Sequence, residues 1–323
     1  MMHQRRPISD LATLALRFVV ATLLITPLVY GQPRVEKNVV FGMYSGLALL
    51  MDVHRPAQSN GYGLIVVPGS GWTSKLGYDA VPLTALQSAV RVFVPKLLDA
   101  GYTLFVVNHR NGPRFQYPAA VEDVQRAVRF VRYNAAAYGV NPLQIGAVGT
   151  SSGAHLSALL GVLDGKEDPD DPDPVNRVSA RVQCVVASST PTDLAAYASV
   201  GSALFMGQRI VPSAGSLAAG DPPDPISVKA YRAASPVTHV SQSSSPMLLL
   251  HGDADTVVPF RMAELMLDKM KQAGVDVKLI RLPGGGHGFV MESAKHPEWP
   301  DFLAESVRWM DQHLKTPVSV LAK

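Results

Sequence analysis

The chain has 323 residues, of which 47% are hydrophobic and 17% are charged. This length and composition are enough for one large α/β core and too little for two comparable domains joined by a linker. The formal net charge is +3, and no basic stripe is present that would indicate a nucleic-acid partner.

The start of the chain is typical of a targeting segment rather than of a folded domain. Arg5, Arg6 and Arg17 make it positive, and residues 18–29 form an apolar stretch of signal-peptide length. We therefore expect residues 1–31 to be a signal peptide and the protein to be secreted or periplasmic.

The alternative to cleavage is an uncleaved membrane anchor, because residues 11–30 are long enough to span a bilayer. A membrane partner is expected only in that case. The folded domain is predicted over residues 32–323. Its single cysteine, Cys184, excludes an intramolecular disulfide.

Strand-like and helix-like segments alternate through this domain. A hairpin is predicted over residues 39–53, and buried strands over residues 62–67 and 103–107. The clearest helix follows Pro118, where apolar residues recur at helical spacing, namely Ala120, Val121, Val124, Ala127, Val128 and Val131. This alternation favours βαβ units and a mostly parallel sheet.

Residues 149–153, Gly-Thr-Ser-Ser-Gly, match the pattern G-x-S-x-G. A strand-like run over residues 143–148 precedes them, and an apolar helix-like run over residues 154–163 follows. This context predicts a nucleophile elbow, a sharp strand-to-helix turn that exposes a serine at its tip. Ser151 is the predicted nucleophile. Ser152 lies one residue beyond the turn, where its N–H is better used as an oxyanion donor.

A lone serine hydroxyl is a poor nucleophile at neutral pH, so the elbow requires a histidine base and a carboxylate that orients the histidine. Both should follow the serine along the chain, on loops after later strands. A predicted strand over residues 247–250 leads to Asp253 and Asp255. Another, over residues 277–282, leads to His287, which is surrounded by glycines.

These motifs, in this order, resemble those of the α/β-hydrolase serine esterases, especially the acetyl and feruloyl esterase-like and hormone-sensitive-lipase-like enzymes. Further landmarks of the resemblance are residues 50–56, 68–72, 117–123 and 234–240. The resemblance implies an α/β-hydrolase fold, with a mostly parallel central sheet, helices on both faces and a small cap insertion at about residues 192–232. It implies His287 as the base and Asp255 as the acid, with Asp253 as the alternative.

The resemblance also implies an oxyanion hole, formed by the N–H of Ser152 and by donors from Ser70, Gly71 or Trp72. Relatives usually have His-Gly-Gly-Gly or His-Gly-Gly before an aromatic residue, whereas residues 68–72 here are Pro-Gly-Ser-Gly-Trp. Trp72 is expected to narrow the acyl entrance beside this hole.

The function implied is that of a secreted serine carboxylesterase, which hydrolyses short-chain, acetyl-type esters through an acyl-enzyme. Its expected substrate is a small-molecule or carbohydrate-linked ester. Two alternatives remain: a serine peptidase of the prolyl-oligopeptidase type, and a hydrolase fold kept as a non-catalytic binding module.

No cofactor is expected. The acidic run over residues 167–174 lacks the glycine and the closing glutamate of an EF-hand loop, so it predicts a surface turn and no metal site.

Overall fold

The structure is a computed structural model that describes residues 32–74, 88–196, 199–207 and 225–315. The predicted signal segment and part of the predicted cap insertion lie outside these residues. Within them, no helix is both long and apolar enough to cross a membrane.

The described part of the chain contains one eight-stranded sheet with the order β1-β2-β4-β3-β5-β6-β7-β8. The strands are β1 (Arg34–Tyr44), β2 (Leu47–Arg55), β3 (Gly63–Val67), β4 (Thr103–Val107), β5 (Ile145–Thr150), β6 (Val185–Ser188), β7 (Met247–Gly252) and β8 (Val277–Leu282). The pairs β1–β2 and β2–β4 are antiparallel, and the remaining pairs are parallel. The sheet is therefore mostly parallel, as predicted.

Helices cover both faces of this sheet. They are α1 (Ser88–Asp99), α2 (Ala119–Tyr133), α3 (Ala135–Tyr138), α4 (Ser152–Val162), α5 (Val200–Phe205), α6 (Pro225–Ala233), α7 (Arg261–Gln272), α8 (Phe289–Glu292) and α9 (Phe302–Leu314). Successive residues of a strand point to opposite faces. Ile65 and Val67 accordingly pack in one core with α2, α4 and α7, while Leu64 and Val66 pack in a second core with α1 and α9.

The predicted strand before the elbow begins two residues later than expected, at Ile145. The reason is a turn at Asn141, whose side-chain oxygen accepts a hydrogen bond from the N–H of Leu143 at 3.0 Å. The main-chain carbonyl of Asn141 accepts another from the N–H of Gln144 at 3.2 Å. These bonds keep residues 141–144 out of the sheet and leave the Leu143 side chain exposed.

The parallel order places the functional loops at one edge of the sheet. The carboxyl ends of β3, β5, β6, β7 and β8 lie side by side, and the segments that follow them contain the predicted oxyanion, nucleophile, acid and base residues. Open α/β sheets bind their ligands at this edge.

Two glycines allow the elbow to pack against the end of β3. A Cβ atom on Gly153 would overlap the main-chain carbonyl oxygen of Val67 and crowd that of Pro68, and one on Gly149 would overlap the carbonyl oxygen of Gly153. The start of α4 therefore lies backbone against backbone on the loop after β3.

This contact predicts that Gly153→Ala lowers the free energy of unfolding by about 1–2 kcal/mol. Overlap with main-chain atoms places the overpacking cost in the upper part of its usual range, at about 2–3 kcal/mol, and the gain in helix propensity offsets about 1 kcal/mol of that cost. Urea unfolding measures the difference.

Gly286→Ala is the matched control, because a Cβ atom there would meet no heavy atom within 4 Å. Its free energy of unfolding should stay within about 0.5 kcal/mol of the parent value. Equal stability of the Gly153→Ala variant and the parent protein would contradict the packing argument.

Candidate active site

Ser151 occupies the turn between β5 and α4 with φ 54° and ψ −124°. A non-glycine residue in the left-handed region is strained by about 1–2 kcal/mol, so surrounding bonds must hold it there. Its N–H donates to the carbonyl of Ser188 on β6 at 2.8 Å, and its carbonyl accepts from the N–H of His155 at 3.0 Å. The side chain is half-buried, so the hydroxyl stands at the tip of a fixed turn.

His287 joins Ser151 to Asp255. Its Nε2 lies 3.0 Å from Ser151 Oγ, and its Nδ1 lies 2.9 Å from Asp255 Oδ2. An ionised carboxylate accepts only, so Nδ1 carries a proton and neutral Nε2 is left to accept from the hydroxyl. Both distances lie within the range that general-base catalysis requires.

The Asp255 carboxylate is buried yet well satisfied. Its Oδ1 accepts from the N–H groups of Val257 at 2.9 Å and Val258 at 2.8 Å, and His251 Nε2 lies 3.4 Å from Oδ2. Burial alone would raise the pKa of Asp255, but the hydrogen bonds from His251, His287 and Val258 outweigh it and hold the pKa well below its usual range. The carboxylate therefore stays charged at neutral pH.

Asp253, the alternative acid, has other partners. Its Oδ2 accepts from Arg281 Nε at 2.7 Å, and its Oδ1 accepts from the N–H of Gly284 at 2.6 Å. The structure therefore brings Asp255, rather than Asp253, to His287.

The loop before His287 makes a second backbone contact through Gly285. A Cβ atom on Gly252 would overlap the carbonyl oxygen of Gly285, and that same oxygen accepts from the N–H of Ala254 at 3.0 Å. The loops after β7 and β8 thus lie directly on one another, which brings the acid and the base into contact.

The predicted oxyanion residues lie beside the elbow. Ser152 is the first residue of α4, so its N–H has no intrahelical acceptor. In the described part of the chain, the N–H groups of Gly71 and Trp72 also have no acceptor. Ser70 differs from expectation, because its N–H already donates to Ser152 Oγ at 2.7 Å.

The Trp72 side chain is only 4% exposed and packs in the core. Its Nε1–H donates to His155 Nδ1 at 3.1 Å, and its rings stack on Phe205 at a centroid distance of 5.3 Å. Because indole N–H can only donate, His155 Nδ1 is the acceptor, and Nε2–H donates to the carbonyl of Ala234 at 2.7 Å. Contrary to the sequence prediction, the indole therefore does not narrow the acyl entrance. It connects the oxyanion loop, residues 68–73, to α4 through His155 and to α5 through Phe205.

Sequence reasoning missed His155, which accepts from Trp72. Its position in the first turn of the predicted elbow helix was the available signal. Burial lowers the pKa of His155 to about 4, so the ring is neutral at neutral pH.

The described part of the predicted cap insertion packs against the same side chains, because Phe205 contacts both Trp72 and Tyr117. The carbonyl of Phe205, at the end of α5, accepts from the N–H of Tyr117 at 2.7 Å, and the two aromatic rings meet edge to face at 5.7 Å.

Within the described residues, no group of three or more His, Cys, Asp or Glu side chains could hold a metal ion.

The BD-FAE family model matches residues 51–270. The chain belongs to this family. It is 28% identical over 263 residues to the probable carboxylic ester hydrolase LipM of Mycobacterium tuberculosis, covering 79% of this chain and 56% of LipM. It is 26% identical to the esterase LipQ of the same organism, covering 70% and 50%. The chain thus spans about half the length of these curated relatives.

Solved structures show the same architecture. A truncated carbohydrate esterase from gut microbiota is 26% identical, with a TM-score of 0.71, and the match covers 89% of this chain and 98% of that one. An acetyl ester-xyloside bifunctional hydrolase from Caldicellulosiruptor lactoaceticus is 25% identical, with a TM-score of 0.70 and coverage of 87% and 97%. These matches confirm the predicted α/β-hydrolase fold and the predicted family resemblance.

The buried His155 makes stability depend on pH. Its folded-state pKa of about 4 lies below the ordinary value of 6.5. As pH falls from about 6.5 to about 4, the unfolded chain gains a proton that the folded state excludes, so stability should fall by up to about 3 kcal/mol.

His155→Gln tests this, because glutamine can accept from Trp72 and donate to Ala234 without titrating. We expect a shallower loss of unfolding free energy for the variant between about pH 6.5 and 4, as measured by urea unfolding at several pH values. His54 and His109, whose pKa values burial also lowers, are present in both proteins. Their contributions to the pH dependence therefore cancel when the two profiles are compared. Parallel pH profiles would contradict the assignment.

Proposed function

We propose that this protein is a carboxylic ester hydrolase in which Ser151, His287 and Asp255 act as nucleophile, base and acid. The observation that carries the proposal is the continuous chain of hydrogen bonds from Asp255 Oδ2 through His287 to Ser151 Oγ, at 2.9 and 3.0 Å. Membership of the BD-FAE family and the esterase names of the relatives support it.

The proposed reaction begins when Ser151 Oγ attacks the ester carbonyl and His287 Nε2 takes the hydroxyl proton. Asp255 holds the ring in the required tautomer and stabilises the imidazolium. The tetrahedral oxyanion lies near the first turn of α4, where the N–H of Ser152 and the N–H groups of Gly71 and Trp72 can donate.

The intermediate collapses when His287 returns the proton to the leaving alcohol. A water molecule then attacks the acyl-Ser151 ester, again with His287 as the base, and the carboxylic acid is released. No step requires a cofactor.

We further propose that the substrate is a short-chain, acetyl-type ester of a small or carbohydrate-linked alcohol. The similar solved structures of a carbohydrate esterase and of an acetyl ester-xyloside hydrolase support this substrate class. We also propose that the protein is exported, because residues 1–31 combine positively charged residues with an apolar stretch.

Ser151→Ala and His287→Ala should each reduce hydrolysis of p-nitrophenyl acetate by at least about 10³-fold, because members of a triad act as a unit. Steady-state kinetics of the purified full chain measures the loss, and circular dichroism checks that the variants are folded. Near-parental turnover in either folded variant would overturn the assignment.

Asp255→Asn and Asp253→Asn form a matched pair on one loop. The first should be severe, because it replaces the oxygen that accepts from His287 Nδ1 by an NH₂ donor and removes the negative charge. The second weakens a surface pairing with Arg281 and a hydrogen bond from the N–H of Gly284, neither of which involves His287, and should be mild. The reverse order of effects would assign the acid to Asp253.

Acetyl to butyryl esters should be preferred over chains of about eight carbons or more. Each buried CH₂ contributes about 0.8 kcal/mol only where an apolar wall receives it, and the predicted cap insertion is short and poor in large apolar residues. A graded series of nitrophenyl esters, compared by kcat/KM, measures the preference. Activity that rises steadily to dodecanoyl would contradict it, and hydrolysis of peptide anilides instead would favour a peptidase.

A further inference from the structure

The first turn of α4 presents two polar side chains to the loop after β3. Ser152 and His155 are three residues apart and therefore share one side of the helix, and both are fully buried. Ser152 Oγ accepts from the N–H of Ser70 at 2.7 Å, and His155 Nδ1 accepts from Trp72 Nε1–H at 3.1 Å.

The loop that these side chains contact has a conformation that needs support. Gly71 and Trp72 have consecutive positive φ values of 64° and 56°. Trp72 is a bulky residue in the left-handed region, which persists only where the surroundings impose it. A turn closes over the same residues, because the carbonyl of Ser70 accepts from the N–H of Thr73 at 3.3 Å and from its hydroxyl at 3.1 Å.

The two bonds flank the donors that an oxyanion would use. Ser70 is held on one side and the Trp72 side chain on the other, while the N–H groups of Gly71 and Trp72 have no acceptor in the described part of the chain. The backbone contact at Gly153 sets how closely the loop approaches α4, but it leaves the direction of these N–H groups to the side-chain bonds.

We propose that Ser152 and His155 are positioning residues, which fix the oxyanion loop through these two hydrogen bonds so that the N–H groups of Gly71 and Trp72 meet the developing oxyanion. The proposal rests on the proposed esterase function. It assigns the N–H of Ser70 to anchoring the loop instead of to binding the oxyanion.

Loss of an anchor should affect the transition state more than the substrate. A donor that is misaimed stabilises the oxyanion less, whereas binding of the neutral ester depends little on that donor. Removing a whole donor costs on the order of 10²–10³ in rate, so we expect loosening of the loop to cost about tenfold.

The first test compares Ser152→Ala with Ser157→Ala in the full chain. Ser157 is the matched control, because it is a buried serine of the same helix whose hydroxyl has no partner among the described residues. For Ser152→Ala we expect kcat on p-nitrophenyl acetate to fall about tenfold with little change in KM. Affinity for an alkylboronic acid, which forms a tetrahedral adduct on Ser151, should fall by a similar factor. The control should change neither.

The opposite sign is an informative outcome. If Ser152 Oγ merely withdraws a useful donor, Ser152→Ala frees the N–H of Ser70, and both kcat and boronate affinity rise. A rise, or no change relative to the control, would overturn the proposal.

A second pair of variants covers failure of Ser152→Ala to fold. His155→Gln keeps one acceptor and one donor, while His155→Leu removes both. We expect the leucine variant to lose about tenfold in kcat and the glutamine variant to recover most of that loss. Equal kcat values for the two folded variants would count against the anchoring role of His155.

Hydrogen exchange separates this proposal from the proposed function. In the substrate-free protein, the N–H of Ser70 should exchange at least about tenfold faster in Ser152→Ala than in the parent protein by NMR, since its acceptor is lost. An unchanged exchange rate would overturn the anchor even if turnover falls. Conversely, if neither the parent protein nor Ser151→Ala hydrolyses any ester, the proposed function fails while the exchange data still test the anchor.

Discussion

The site depends on the approach of two backbones without side chains between them. Gly153, in the first turn of α4, lies against the carbonyl oxygens of Val67 and Pro68, so the elbow and the oxyanion loop approach more closely than a side chain at this position would allow. The arrangement of the N–H groups in the two segments depends on this close approach. In the proposed function, the N–H groups at the start of α4 and those of Gly71 and Trp72 meet at one oxyanion because no Cβ atom separates the two segments.

A similar backbone contact positions the charged carboxylate of Asp255 and its partner His287. Gly252 and Gly285 lie together, which places the loops after β7 and β8 in contact and brings His287 to Asp255. The carboxylate is buried, and burial disfavours its charge, but N–H donors from its own loop and from the imidazole compensate. Asp255 is therefore charged and fixed in place without a substrate, and in the proposed function this is the preorganisation that electrostatic catalysis requires.

Local pattern was enough to predict much of this molecule. The strand predicted over residues 277–282 coincides with β8, and the amphipathic stripe after Pro118 became α2, because both patterns report which residues face a core. The elbow at Ser151 was predictable for the same reason, since small residues between an apolar strand and an apolar helix leave few other backbone solutions. The order of serine, aspartate and histidine then restricted the partners to Asp253, Asp255 and His287.

Only the tertiary structure decided which of these groups meet. Asp253 and Asp255 are two residues apart and chemically identical, and their roles differ because Arg281 and Gly284 engage one while His287 reaches the other. The sequence determined the parallel sheet, the elbow and the set of candidate residues, since each depends on neighbours along the chain. Which aspartate contacts His287, and which group accepts from the N–H of Ser70, depend on contacts between segments far apart in sequence. No local pattern contains that information.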